Sequence, residues 1–409
     1  MQAAWQRWRW ALLAAAVTLG GFAALLNFPA AFRVLGLREM KPVYADLVAV
    51  LAAGEAVQQG IDVYRGNPLD PFNRPHVYGP AWLVTGSLGL TRGDTGWLGT
   101  LLVLGFIGAA VALCAPRTPR AALLTVALLL SPPVVLALER GNNDLVIFLL
   151  LAGAAALLGR AGRMALPAAT AALVTAAALK FYPLVCLPAL ATQRAGLRRA
   201  LPWVIVGALA FVGVWFAQRV DLARVFALAP EPATIFAYGL RLGALTWRML
   251  GGEHFWLLLG AAPVLTAGAG WILRSAPALR ALVPLQGVAA AAAVAGIAGW
   301  IFCYVWTTNF PYRVLLLVLL APVLLRPEAP RAAGQLLAGL LALGWLLAPL
   351  DWCATAFDAD GTRTTLLHVL AVLTGAHQAL VFIVSAAVAV VLIGWARRSW
   401  ATGTARAAA

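Results

Sequence analysis

Charge is scarce in this chain. Of 409 residues, 11% are charged and 63% are hydrophobic, a balance that excludes a soluble globular protein. Cysteine is scarcer still, and Cys114, Cys186, Cys303 and Cys353 show no metal-ligand spacing. Cys303 and Cys353 fall toward the same face and are the one pair open to bridging, although a small buried thiol is the commoner use of cysteine. A P-loop, a glycine-rich dinucleotide fingerprint and a Ser/His/Asp set are all missing. The short alternating segments of a β-barrel are missing too, since the apolar runs are continuous.

Those runs are long enough to cross a bilayer and recur from end to end, which makes the fold all-α, polytopic and membrane-integral. The net charge of +15 raises nucleic acid as a partner. The arginines, however, sit in short loops between apolar runs, the positive-inside pattern of a bacterial inner-membrane protein, so the bilayer is the expected partner and nucleic acid is not. Arg7/Arg9, Arg117/Arg120, Arg160/Arg163, Arg194/Arg198/Arg199, Arg274/Arg280, Arg326/Arg331 and Arg397/Arg398 mark the cytoplasmic side. Trp5 to Trp10 supply aromatic and basic flanks to a run longer than a signal-peptide core, which suits an uncleaved anchor.

Spans are expected near 11–31, 97–114, 121–138, 145–159, 165–180, 182–192, 201–218, 255–273, 281–305, 313–325, 332–350 and 366–395, or about 11–13 in all, with both termini inside. Residues 182–192 are short for a crossing and dip part way. Residues 77–91 are apolar enough to cross, but counting them inverts everything downstream; either they re-enter or the Arg117 loop lies outside. The whole of 1–409 forms one membrane domain, with residues 32–76 as a long first periplasmic loop and 396–409 as a cytoplasmic tail. No inverted repeat is evident.

Polarity gathers on the outer side. In the first loop, Asp46 opens an expected amphipathic, interfacial helix over 47–59, with Gly60 closing it. Asp46 shares a face with Val50, Ala53 and Val57, and a carboxylate on an apolar face is costly unless a partner or a reaction uses it. The plain alternative is an N-cap, though Ala49 stands where a capping box needs Glu or Gln. Tyr64 and Tyr78 follow among Gly, Pro and Asn turns, as belt aromatics or as the lining of a sugar or headgroup site. Further on, Glu139-Arg140-Gly141-Asn142-Asn143-Asp144 separates two apolar segments, and charge at such a boundary tends to mark a cavity or a substrate path.

Taken in order, an outer-loop Asp, Gly-x-x-x-Tyr, Tyr-x-Pro, Gly-x-Asn, Lys-x-x-Pro and a late Tyr-Arg resemble the family-87 glycosyltransferases and their uncharacterised bacterial relatives, of the polytopic GT-C class. The matching stretches are Asp46 to Pro80, Glu139 to Leu150, Leu179 to Pro188 and Asn309 to Leu320. Arg140-Gly141-Asn142-Asn143-Asp144 departs from the usual Gly-Gln-x-Asn of that family, and leaves the sugar and acceptor open. The resemblance implies a polyprenyl-phosphate-sugar donor and an inverting transfer of mannose or another hexose to a lipid-linked or glycan acceptor on the outer face.

A lipid-phosphate sugar brings its own leaving group, so the protein must deprotonate an acceptor hydroxyl, align it and stabilise the departing phosphate. Asp46 is assigned as the general base, and Lys180, Arg140 and Arg313 as the phosphate-binding cations. Asn142, Asn143, Asp144, Tyr182, Asn309 and Tyr312, with Tyr64 and Tyr78, are assigned to substrate. Plain readings stand beside these: snorkelling for Lys180, pairing with Glu139 or Asp144 for Arg140, and a misplaced inside-positive residue for Arg313. Asp358-Ala359-Asp360 resembles a metal-binding Asp-x-Asp, but runs into Gly361 as a solvated turn, so neither a metal nor another cofactor is expected. The rival function is a lipid or glycolipid transporter or flippase, which needs polar residues at mid-span in paired broken helices.

Overall fold

The computed structural model describes residues 2–193, 196–229, 237–249, 252–359 and 364–408. These are helical almost throughout, and among them the one β-interaction is an isolated antiparallel bridge between Tyr238 and Asn309. Runs of Ala, Leu and Val with few helix breakers make this the expected outcome, because a helix satisfies its own backbone in an apolar medium. Arg194 and Asp360 lie outside the described residues.

Among the described residues, seven helices are long and apolar enough to cross a membrane: Trp8–Asn27, Arg92–Cys114, Gly196–Leu228, His254–Ala281, Val288–Trp306, Arg331–Ala356 and Thr365–Thr402. An eighth is available if Pro119–Leu129 and Pro132–Arg140, bent by 58° across their break, count as one span. The protein is thus a multi-pass helical membrane protein, with fewer full-length spans than the 11–13 expected. The shortfall has a local cause. Asp144–Leu158, Ala165–Leu179 and Tyr182–Thr192 are shorter than a bilayer crossing. Residues 311–325 fold as three short turns, Pro311–Val314, Leu315–Val318 and Ala321–Leu324, rather than one rod.

These short elements form the centre. Most of Val288–Trp306 is buried (67% of its span), and residues 314–321 that pack on it are almost wholly so. Gly196–Leu228 and His254–Ala281 are only 17% and 11% buried and present Leu209, Phe216, Phe255 and Leu273 outward, as lipid-facing helices do.

The helix expected in the first loop is corrected here, and two open alternatives are decided. Residues 77–91 form only Pro80–Leu83 and Val84–Ser87, two turns packed on the helix Ala45–Gln58. The contact is close: a β-carbon on Gly86 would fall 2.1 Å from the Gly54 carbonyl oxygen, so glycine is required at that crossing. The helix Ala45–Gln58 is not an interfacial amphipathic one, since residues 45–54, Asp46 among them, are buried on every side and only its last turn reaches solvent. Residues 219–228 continue the helix Gly196–Leu228 past the expected span, and residues 396–408 continue the last helix. Finally, Cys303 and Cys353 are both free.

Candidate functional site

Asp46 sits in the first turn of Ala45–Gln58, at a place set by the preceding chain. The Met40 amide donates to Glu139 Oε1 and the Tyr44 amide to the Glu139 carbonyl, each at 2.8 Å. Glu139 therefore pins residues 40–44 to the end of the helix Pro132–Arg140. Tyr44 turns the corner in the left-handed region (φ 63°), at a cost of roughly 1–2 kcal/mol for a residue with a β-carbon. It is Tyr44, not Asp46, that stands at the N-cap position, and no side chain caps this helix. Opposite it, Gly141 ends the helix Pro132–Arg140 with φ 55°, and a β-carbon there would meet Tyr44 Cβ at 3.0 Å and Leu47 Cβ at 3.2 Å. Glycine serves both needs, the positive φ and the close approach.

Beyond Gly141 the chain delivers Asn142, which is fully buried and used at both ends. Its Nδ2 donates to Asp46 Oδ2 at 2.6 Å, and its Oδ1 accepts from the Asp144 amide at 3.0 Å. Asp144 is the first residue of the helix Asp144–Leu158, where the helix dipole favours a carboxylate. Its Oδ1 accepts from Lys180 Nζ and from the Tyr182 hydroxyl, both at 2.8 Å. Its Oδ2 lies 3.8 Å from Arg313 Nε. Lys180 directly follows Ala165–Leu179 and Tyr182 opens the 3-10 helix Tyr182–Thr192, so the end of one short helix and the start of the next supply both donors.

Arg313 is held from its other side. Its Nη1 donates to Asn309 Oδ1 and lies 3.1 Å from Cys303 Sγ, and the guanidinium covers the Tyr182 ring at 5.2 Å. Asn309 is fixed by the bridge to Tyr238 and by its Nδ2, which donates to the Cys303 carbonyl at 2.5 Å. Tyr312 stacks on Phe310 at 5.5 Å and, like Tyr78, lies within electrostatic range of both Asp46 and Asp144.

The cation facing Asp46 is one to which the sequence analysis assigns no role. Arg74 Nη1 is 3.5 Å from Asp46 Oδ1, its Nη2 donates to the Ala45 carbonyl (2.7 Å), and Asp70 grips it through Nη2 (2.8 Å) and Nε (3.0 Å). Burial opposes the Arg74 charge, but the Asp70 carboxylate outweighs it and holds the guanidinium firmly protonated. The only signal in the sequence is the spacing of Asp70 and Arg74 by four residues in the first outer loop.

Not every assigned residue joins this cluster. Arg140 forms no ion pair with Glu139 or Asp144 among the described residues, and its Nε is buried without a hydrogen-bond partner. Asn143 is buried with Nδ2 unpartnered. Tyr64 belongs elsewhere: it packs with Ala53, Ala56, Val63 and Val225 beneath Arg224, whose guanidinium is 4.4 Å from the ring and pairs with Asp62. Burial raises the Tyr64 hydroxyl to about 12 and lowers His76, which touches the Tyr64 and Tyr78 rings edge-on, to about 4. Lys180 does not snorkel; it is committed to Asp144.

The site thus has two halves joined by Asn142. In one, Asp46 and Asp70 share the single guanidinium of Arg74; in the other, Lys180 and Arg313 share the single carboxylate of Asp144. The cations are the more accessible members, with side chains 28% (Arg74), 17% (Arg313) and 14% (Lys180) exposed, against 8% for Asp46 and none for Asp144. An approaching ligand meets positive charge first. Nearby, an apolar cavity of about 350 Å³ begins at Gly239 and Leu240, next to the Tyr238–Asn309 bridge. Compared with family models, curated proteins and solved structures, the chain matches none.

Proposed function

We propose that this protein is a membrane glycosyltransferase that moves a hexose, such as mannose, from a polyprenyl-phosphate donor to a lipid-linked or glycan acceptor on the periplasmic face of a bacterial inner membrane. Support comes first from one observation: Asn142 joins a carboxylate-rich half of the site to a cation-rich half. An inverting transfer needs both at once. Asp46 takes the proton of the acceptor hydroxyl as that oxygen bonds to the anomeric carbon. The bond from that carbon to phosphate breaks on the opposite face, and the phosphate leaves on its polyprenyl chain. Lys180 and Arg313 neutralise the departing phosphate. Asp144 holds these two cations together before substrate arrives and leaves an excess of one positive charge for the anion. Arg140, whose Nε is buried without a partner, is a third donor. Arg74 and Asn142 orient the base.

The distribution of charge favours an enzyme over a transporter or flippase. Asp46 is in a first helical turn, Asp144 begins a helix, Lys180 follows one and Arg313 lies in a short turn, so the charges stand at helix ends rather than at mid-span. The test is sugar transfer from a radiolabelled polyprenyl-phosphate donor in proteoliposomes. Asp46→Asn is expected to lower turnover by about 10²–10⁴-fold with unchanged expression. Unchanged turnover would remove Asp46 as the base.

A further inference from the structure

A second concentration of positive charge lies where the bent pair begins, at the other end from Arg140 and Asp46. Helix Pro119–Leu129 and helix Arg331–Trp345 pack together and start beside one another, and with residues 324–330 they enclose a cavity of about 610 Å³. Arg120, Arg326 and Arg331 line it. Among the described residues none of the three has an ion-pair partner, and no acidic side chain lines the cavity; Glu328, close in sequence, points to solvent. This differs from the clusters around Asp46 and Asp144, where Arg74, Lys180 and Arg313 each have a carboxylate. Three guanidinium groups around one space repel each other, and the positive ends of two helix dipoles add to the same field. Thr118 and Gln335 add two neutral polar side chains, and the rest of the wall is apolar, with Leu124, Leu324, Leu337 and Leu341.

We infer that this cavity is a phosphate-binding site, independent of the transfer chemistry. Arginine is suited to the task because its planar fork gives two parallel hydrogen bonds to a phosphate. The position matters as well: two candidate spans start here, so the arginines stand at a membrane edge and the leucines face its interior. A phosphate that arrives on a lipid headgroup would set its anion on Arg120, Arg326 and Arg331 and lay an acyl chain along the leucines; basic pockets between helices take anionic phospholipids in this way. A free phosphate would use the arginines alone.

The experiment uses the full chain purified in detergent, with short-chain phosphatidylglycerol, short-chain phosphatidylcholine and inorganic phosphate as separate probes, and binding read by native mass spectrometry. Phosphatidylglycerol is expected to bind more tightly than zwitterionic phosphatidylcholine. Replacing all three arginines by glutamine should weaken it by about a hundredfold, or about fivefold for each single replacement. The single variants carry the test should the triple variant not fold. Phosphatidylglycerol binding without inorganic phosphate binding assigns the site to a lipid headgroup, and equal binding of inorganic phosphate assigns it to a free anion; both outcomes support the site. Binding of both anions unchanged by the single replacements, or phosphatidylcholine binding as tightly as phosphatidylglycerol, overturns it.

Discussion

The two ends of the bent pair handle charge in opposite ways. Near Arg140 and Asn142, the carboxylates Asp46, Asp70 and Asp144 are each matched with a cation of the protein itself, and Asp144 is buried completely between Lys180 and Arg313. At Arg120, the cations line an open cavity and are matched with nothing among the described residues. Depth explains the contrast. An ion taken out of water costs several kcal/mol unless a counter-ion and hydrogen bonds replace its hydration, whereas an arginine at a wet edge keeps its water and can wait for a ligand. Pre-paired charge holds a geometry; unpaired charge selects a partner.

The comparison can be broken at its strongest point. Asp144→Ala leaves Lys180 and Arg313 buried without compensation and is expected to destabilise the protein by about 3–5 kcal/mol, read as a lower melting temperature in detergent; an unchanged melting temperature would mean that the pairing carries no structural weight. His76 gives a second, titratable case of a buried polar group. Its folded value of about 4 lies below the ordinary 6.5 because burial opposes its charge. Between those values the unfolded chain binds the extra proton and the folded chain does not, so stability is complete above about pH 6.5 and is lost as pH falls toward 4. The loss amounts to about 3 kcal/mol at one pKa unit per 1.36 kcal/mol. His76→Gln should flatten that part of the pH profile.

Asn142→Ala removes the donor to Asp46 and the acceptor for the Asp144 amide, and should cost about 1.5–3 kcal/mol, the range for hydrogen bonds to charged groups. Transfer should fall with it, because Asp46 then keeps only the longer contact to Arg74. The smallest effect is expected at the other end. Arg331→Gln, which breaks no contact and relieves repulsion, should leave the melting temperature of the lipid-free protein unchanged or slightly higher, within about 0.5 kcal/mol. A large loss there would mean that Arg331 has a structural partner and that the contrast between the two ends is false.

Legibility in the sequence followed the range of the interaction. Asp46, Asp144, Lys180 and Arg313 stand out because each interrupts an apolar run, and the structure gathers them through Asn142 and Asn309, both of which also interrupt such runs. Arg74 did not stand out, because it lies in a loop already polar, and its importance comes from a 28-residue reach to Asp46. Tyr64 and Tyr78 carry the same assignment from sequence, but the turn at residues 60–76 sends Tyr64 to the Arg224 side, with His76 between the two rings. Span counting overshot because hydropathy measures composition and is blind to where a helix breaks.

Composition alone settled that this chain is helical and membrane-integral, since continuous apolar runs can satisfy their backbone in lipid in no simpler way. Which helices stay short and buried, which cation faces which carboxylate, and that Arg120, Arg326 and Arg331 meet around one cavity were decided by packing. Those outcomes depend on residues tens to hundreds of positions apart being brought together, such as Gly54 against Gly86 or Arg120 and Arg331 around one cavity, and no local pattern encodes them.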